Sequence, residues 1–223
     1  MRLVNAELGI QIELKENCMQ YLTIEHPDMF AGTVRDIWNQ CNGRDGDFLL
    51  SEGEKVLPFS KNCFFITNPF AVSCNEKKII TKLYQELNEN VLDLYVEQKA
   101  ELNAQIQQFL HLVLNTVPYN LSSSESVELP ELLKIYDVRM ESETGDLLEL
   151  LIDYLRAMKK VCGYKVAVFL NLKQYLDKKQ LESLYEICSY EKIYFLNIEG
   201  QKSVSSSREK YVIIDKDLCT IDV

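Results

Sequence analysis

Two stretches of nearly unbroken apolar character, Lys165–Asn171 and Lys192–Ile198, flank a helix-length amphipathic segment over Asp177–Tyr190. A strand that is apolar on both faces must be covered on both faces, which is the condition of a parallel sheet between layers. Parallel neighbours cannot be joined by a tight turn, so the intervening helix is the crossover of a right-handed βαβ unit. Tyr211–Ile214 reads as a further strand. The pattern predicts an α/β fold with a mostly parallel sheet.

The remainder of the chain fits around that unit. Residues 1–24 alternate apolar and polar and read as a hairpin with Gly9 near its turn, followed by a strand over Met19–Ile24. Pro27 and Asp28 open a helix with an apolar face of Phe30, Val34, Ile37, Trp38 and Cys41. Phe48–Leu50 and Cys63–Thr67 are expected strands. From Asn75 to Pro118 the apolar period becomes helical, giving one long helix or two with a break at Asn88 or Asn90. This predicts a head domain over 1–74 and 119–223 and an α-helical subdomain over 75–118. Pro130–Tyr136 reads as a short helix and Val138–Met140 as extended. Thr144 or Ser142 is expected to cap a helix that turns Leu147, Leu148, Leu151, Leu155 and Met158 inward. Ser203–Ser207 is expected to be a mobile surface loop.

Composition excludes several classes. With 223 residues and 47% apolar content, the chain can bury a full core without staples. Its longest clean apolar run is about five residues, against the ~20 of a membrane span. Asn5, Glu7 and Gln11 interrupt any signal-peptide core, so a cytoplasmic location is expected. The seven cysteines form no Cys-x-x-Cys pair, and only His26 and His111 stand beside them, which speaks against zinc.

Catalytic motifs are equally sparse. The loop after Met19–Ile24 is where an α/β protein would cradle phosphate, and a cradle needs Gly for close approach and Lys for charge. The loop here is Glu25-His26-Pro27-Asp28, which repels phosphate. No Gly-x-x-x-x-Gly-Lys-Ser/Thr occurs, and Asn171 stands where an ATPase would place a magnesium-binding Asp. There is no Gly-x-Ser-x-Gly, and His111 lies between Leu110 and Leu112 on a helical stripe. Neither a nucleotide nor an enzymatic activity is expected.

Charge is more informative. Against 24 Lys and Arg the chain carries 34 Asp and Glu, a net charge of -10, which in total opposes a polyanion partner. Yet from Tyr154 to Gln180 seven basic residues (Arg156, Lys159, Lys160, Lys165, Lys173, Lys178, Lys179) face only Asp177. Cations at a helix C-terminus favour the macrodipole, so capping accounts for part of this run and phosphate binding is the alternative. Lys77, Lys78 and Lys82 form a second group at the start of the long helical segment, and Lys134 and Arg139 a third.

The order of segments resembles the type II-A CRISPR-associated adaptation proteins of the small Csn family. The matching pieces run from Phe30…Val34…Ile37-Trp38 through Phe64-Phe65-Ile66-Thr67-Asn68 and Leu83-Tyr84-Gln85-Glu86-Leu87-Asn88. They continue through Glu131-Leu132-Leu133-Lys134, Val138-Arg139-Met140-Glu141 and Val166-Ala167-Val168-Phe169-Leu170-Asn171 to about Glu199. The resemblance implies a degenerate P-loop-ATPase-like head with a protruding helical leg. It implies a homotetrameric ring that threads onto double-stranded DNA ends and supports spacer acquisition with the CRISPR integrase pair and the RNA-guided effector nuclease. Lys134, Arg139, Lys159, Lys160 and Lys165 fall at family-basic or nearly matching positions, whereas Lys77, Lys78 and Lys82 are local readings. The resemblance also raises calcium as a cofactor. Family members hold it with an acidic loop after the long helices, and here only Glu125 and Glu128 remain of that loop's carboxylates. Two rival readings stand beside DNA binding: a protein-interaction scaffold of the adaptation complex, and a cryptic NTPase.

Overall fold

The computed structural model describes residues 1–141, 145–202 and 206–222, with the side chains of residues 92, 93 and 222 excepted. Ser142 and Thr144, expected as caps, and residues 203–205 of the expected mobile loop lie outside this set. The chain forms two compact units, Met1–Cys74 with Ser142–Val223, and Asn75–Glu141.

The first unit holds two sheets. In one, strands β1 (Arg2–Asn5), β2 (Ile10–Glu13), β4 (Phe48–Glu52) and β5 (Lys55–Leu57) lie antiparallel in the order β2-β1-β4-β5. Gly9, at φ +63°, supplies the left-handed residue of the β1–β2 turn. The other sheet contains β3 (Met19–Ile24), β6 (Cys63–Ile66), β7 (Val166–Leu170), β8 (Tyr194–Glu199), β9 (Glu209–Ile214) and β10 (Thr220–Asp222). Its order is β10-β9-β3-β8-β7-β6, parallel except for β10 on β9. The expected α/β class with a mostly parallel sheet is borne out.

Side chains alternate across this sheet, so each strand feeds two cores. On one face Leu22, Ile24, Val166, Val168, Leu196, Ile198, Val212 and Ile214 pack with Leu3, Ile12 and Phe48 of the antiparallel sheet and with Ile37. Ile37 belongs to α1 (Pro27–Cys41), which has Pro at its start as expected. Trp38, expected on the same buried face, is 43% exposed and lies under the Arg44 guanidinium instead. Position 38 is one residue, about 100°, around the helix from Ile37, beyond the buried stripe. On the opposite face Phe64 meets Tyr154 of α6 (Leu147–Lys160), and Phe195 meets Tyr185 of α7 (Lys178–Tyr190). Leu151, Leu155 and Met158 of α6 are fully buried, as their spacing predicts. The α6 cap is Asp146, which accepts from the Glu149 N–H at 3.0 Å. Cys63, Cys74 and Cys188 are buried and pack as small apolar side chains. A short helix α2 (Phe59–Asn62) leads into β6.

The second unit consists of α3 (Lys77–Leu94), α4 (Val96–Leu114) and α5 (Leu129–Ile135). The break falls at Tyr95, at φ −133° and ψ 33°, and not at Asn88 or Asn90. Asn costs a helix at most about 0.7 kcal/mol, and the helix carries both. Residues 119–141 group with this unit, whereas the sequence pattern assigns them to the head. The ties are side chain to backbone. The Val127 N–H donates to Asn103 Oδ1 at 3.2 Å, and Tyr84 Oη donates toward Leu133 O and Val138 O at 3.2 and 2.8 Å. Among the described residues no helix is long and apolar enough to cross a membrane.

Candidate nucleic-acid interface

The sequence-predicted basic residues divide between the two units. In the first unit, Lys159, Lys160 and Lys165 each have a partner. Lys159 Nζ donates to Lys192 O at 3.0 Å. Burial and the neighbouring Lys165 push the Lys159 ammonium below its ordinary pKa. Lys160 reaches Glu191 at 3.2 Å, a carboxylate it shares with Arg156, and Lys165 pairs with Glu52 at 2.8 Å. The Lys165 ammonium in turn holds the Glu52 carboxyl below its usual range. Lys173 is drawn inside against Glu209 at 2.7 Å. The basic run from Arg156 to Lys179 is therefore not one open patch. Its helix-terminal part is structural: Lys159 and Lys160 stand in the last turn of α6, where cations favour the macrodipole, and with Arg156 they reach Glu191 and Lys192 at the end of α7. Lys178 and Lys179 stand exposed at the start of α7.

In the second unit the arrangement differs. Lys77 and Lys78 occupy the first turn of α3, which has Glu76 at its N-cap but no acidic residue within it, and Lys82 follows one turn on. Cations at a helix N-terminus oppose the macrodipole, and Lys78 and Lys82 repel each other at i, i+4. Helix stability does not explain these lysines. Asn75 does not cap α3. Its amide clasps the backbone of Met140, donating to the carbonyl at 3.0 Å and accepting from the N–H at 2.9 Å. With the Tyr84 bonds to Leu133 and Val138, this clasp lays the segment carrying Lys134 and Arg139 along the first turns of α3. Five of the eight sequence-predicted positions thus share one end of one unit. Lys77, Lys82 and Lys134 are exposed. Lys78 pairs with Glu76 at 3.2 Å, and Arg139 pairs with Asp137, which raises the guanidinium pKa and lowers that of the carboxyl.

Asn75, Tyr84, Asp137 and Glu191 shape these positions and were not singled out as site residues. Arg139 stands two residues from Asp137, whereas the partners of Asn75, Tyr84 and Glu191 lie tens of residues along the chain, too far to infer.

The two carboxylates of the loop expected for calcium, Glu125 and Glu128, lie on the exposed surface. Glu128 is committed to Lys99 at 3.0 Å, and Gln107 satisfies the Ser124 carbonyl. Among the described residues no three His, Cys, Asp or Glu side chains converge as a ligand set. Calcium sites take six to eight oxygen ligands. His111 is exposed and bonded to Asn115.

A mixed α/β protein with an open, mostly parallel sheet and an inserted helical unit is the class these observations define. Among solved structures it is similar to a putative ABC transporter ATP-binding protein from Pyrococcus furiosus, at 12% identity and a TM-score of 0.39, over 91% of this chain and 88% of that one. It is also similar to a bacterial Atm1-family ABC exporter with ATP bound, at 9% identity and a TM-score of 0.43, over 93% of this chain and 34% of that one. Neither likeness carries a property over to this chain. The model of the CRISPR-associated protein family Cas_Csn2 matches residues 40–218, and the chain belongs to this family. The resemblance read from the residues is borne out, and with it a role in CRISPR adaptation.

Proposed function

We propose that this chain is a non-catalytic, sequence-independent binder of double-stranded DNA ends, assembling as a tetrameric ring that supports spacer acquisition. The observation that carries the reading is the family membership joined to the basic end of the helical unit. There Lys77, Lys78, Lys82, Lys134 and Arg139 gather on a chain of net charge -10. Phosphate contacts of this kind position a duplex without reading its sequence. A ring places such cations on an inner lining and the acidic surplus outside. The helical unit serves as the leg and the first unit as a degenerate head, with Glu25 and Asp28 where phosphate would otherwise be cradled. The double-stranded DNA, the integrase pair and the effector nuclease are its proposed partners, and the cytoplasm its proposed location. The test compares linear duplex with closed circular duplex of the same sequence, with particle mass measured alongside. Binding of the linear form alone by a tetramer is expected; equal binding of both forms removes threading.

A second reading, a scaffold of the adaptation complex without DNA contact, is favoured by one observation. No residue of α4 is buried, and Val96, Phe109 and Leu112 are each at least 60% exposed. It predicts co-elution with the integrase pair and no gel shift with duplex at physiological salt.

A further inference from the structure

The segment that carries Lys134 and Arg139 also carries two large, uncovered side chains. Ile135 is 74% exposed and Tyr136 75%. Neither serves the helix that presents it. α5 ends in a Schellman turn, in which Asp137 takes φ 51°, the Asp137 N–H donates to Lys134 O at 3.1 Å and the Val138 N–H to Leu133 O at 2.9 Å. The apolar pair that such a turn brings together is Leu133 and Val138, and both are half-buried. Ile135 and Tyr136 fall outside that pair. Neither residue type is a strong helix former, so propensity does not account for them either.

The turn is held to α3 at both of its ends. Tyr84 Oη stands 3.2 and 2.8 Å from the carbonyls of Leu133 and Val138, and the Asn75 amide clasps Met140 two residues further on. The backbone under Tyr136 is therefore fixed, and a tyrosine has only two side-chain torsions to lose on contact. Charge of both signs flanks the ring. Lys134 is exposed two residues before it, in the same basic end of the unit as Lys77 and Lys82. Asp137 follows directly and holds Arg139. A phosphate set against the ring itself would meet the Asp137 carboxylate, whereas a neutral base would not, and Lys134 is free to take the phosphate beside it.

We propose that Tyr136 is a stacking platform for an unpaired nucleobase at a DNA end, with Ile135 as its apolar flank and Lys134 holding the adjoining phosphate. The inference rests on the DNA-end reading above and adds to it the kind of end preferred. An aromatic ring set among cations is how single-stranded nucleic acid is held, and the stack is tolerant of sequence because every base has a π-face. Bases within a duplex are already stacked on both sides. Only an unpaired tail offers a free face, so the platform favours a tailed end over a blunt one.

Fluorescence anisotropy of the full chain tests this with three linear duplexes: blunt, carrying a short oligothymidine tail, and carrying an abasic tail of equal length. The abasic tail keeps the phosphates and removes the bases. The thymidine tail is expected to bind about fivefold or more tightly than the abasic one, the factor that one stacked base supplies. Tyr136→Ala is expected to lose that preference and Tyr136→Phe, which keeps the ring, to retain it. Equal affinity for the two tails, or a preference that survives in Tyr136→Ala, overturns the proposal. A changed particle mass in Tyr136→Ala with the preference kept assigns the ring to a contact between copies and overturns it as well. Equal tails with the blunt duplex still bound leave the DNA-end reading standing. Binding of none of the three duplexes removes that reading and the platform together.

Discussion

Lys173 carries its ammonium to 2.7 Å from the Glu209 carboxylate, inside the first unit and over the Tyr21 ring. The Lys173 side chain is 11% exposed and that of Glu209 3%. Tyr185 and Tyr211 donate to the same carboxylate at 2.8 and 2.7 Å, and Tyr185 is hydrogen-bonded to Tyr21. One acidic residue thereby gathers side chains from α7, β9 and the turn after β7, and through Tyr185 it reaches β3.

Breaking one side of a buried pair costs more than the pair contributes, because the remaining charge is left inside. Lys173→Met is expected to destabilise the first unit by about 3–5 kcal/mol. Glu209→Gln with Lys173→Met is expected to recover part of that loss. Urea midpoints of the three chains decide it; an unchanged midpoint in Lys173→Met means the pair contributes nothing.

The same carboxyl gives a pH dependence. Burial pushes Glu209 up, but hydrogen bonds from Lys173, Tyr211, the Ser206 N–H and Tyr185 outweigh it and hold the group below its ordinary value. A depressed folded-state pKa contributes stability that is complete above the unfolded value, about 4.3, and is lost as pH falls through the lower folded value. Unfolding measured at pH 7 and near pH 3 should show a larger loss for the natural chain than for Glu209→Gln.

Within the helical unit, Asn75→Ala removes both bonds to Met140 and leaves its backbone groups without that partner. We expect a loss of about 1–3 kcal/mol in that unit and faster hydrogen exchange at the Met140 amide. Tyr84→Phe should act in the same direction and more weakly.

For DNA, Lys77→Ala, Lys82→Ala and Lys134→Ala should each flatten the slope of log K against log salt by about 0.9 per lost phosphate contact. Lys160→Ala should change the slope less, because Glu191, shared with Arg156, already holds that ammonium at 3.2 Å. A slope that responds to Lys160 and not to the other three would move the interface to the first unit.

Asp137→Asn is expected to raise duplex affinity several-fold by releasing Arg139. Asn tolerates the left-handed backbone at position 137, φ 51°, so the turn survives. A gel shift at fixed salt reports the direction.

The strands of the parallel sheet and the buried stripe of α6 are legible in the sequence because apolar period is a strong local signal. The elements missed, β5, α2 and β10, span three or four residues, too few to show a period. The grouping of residues 119–141 with the helices rests on single side chains, such as Tyr84 and Asn103, that bond backbone 24 to 54 residues away. The basic residue types were equally visible, but their availability was not. Lys165 meets a carboxylate 113 residues distant, and Arg156 one 35 residues distant. Local spacing holds no record of such pairs.

The amide of Asn75 fastens the entry of the helical unit to its exit at Met140. A segment whose two ends are buttoned together is a cassette. Splicing Asn75 directly to Glu141 would leave α6 to complete the crossover from β6 to β7, so the sheet keeps its wiring. A chain built this way can lengthen, shorten or exchange its helices over generations without renegotiating the strand order beneath them.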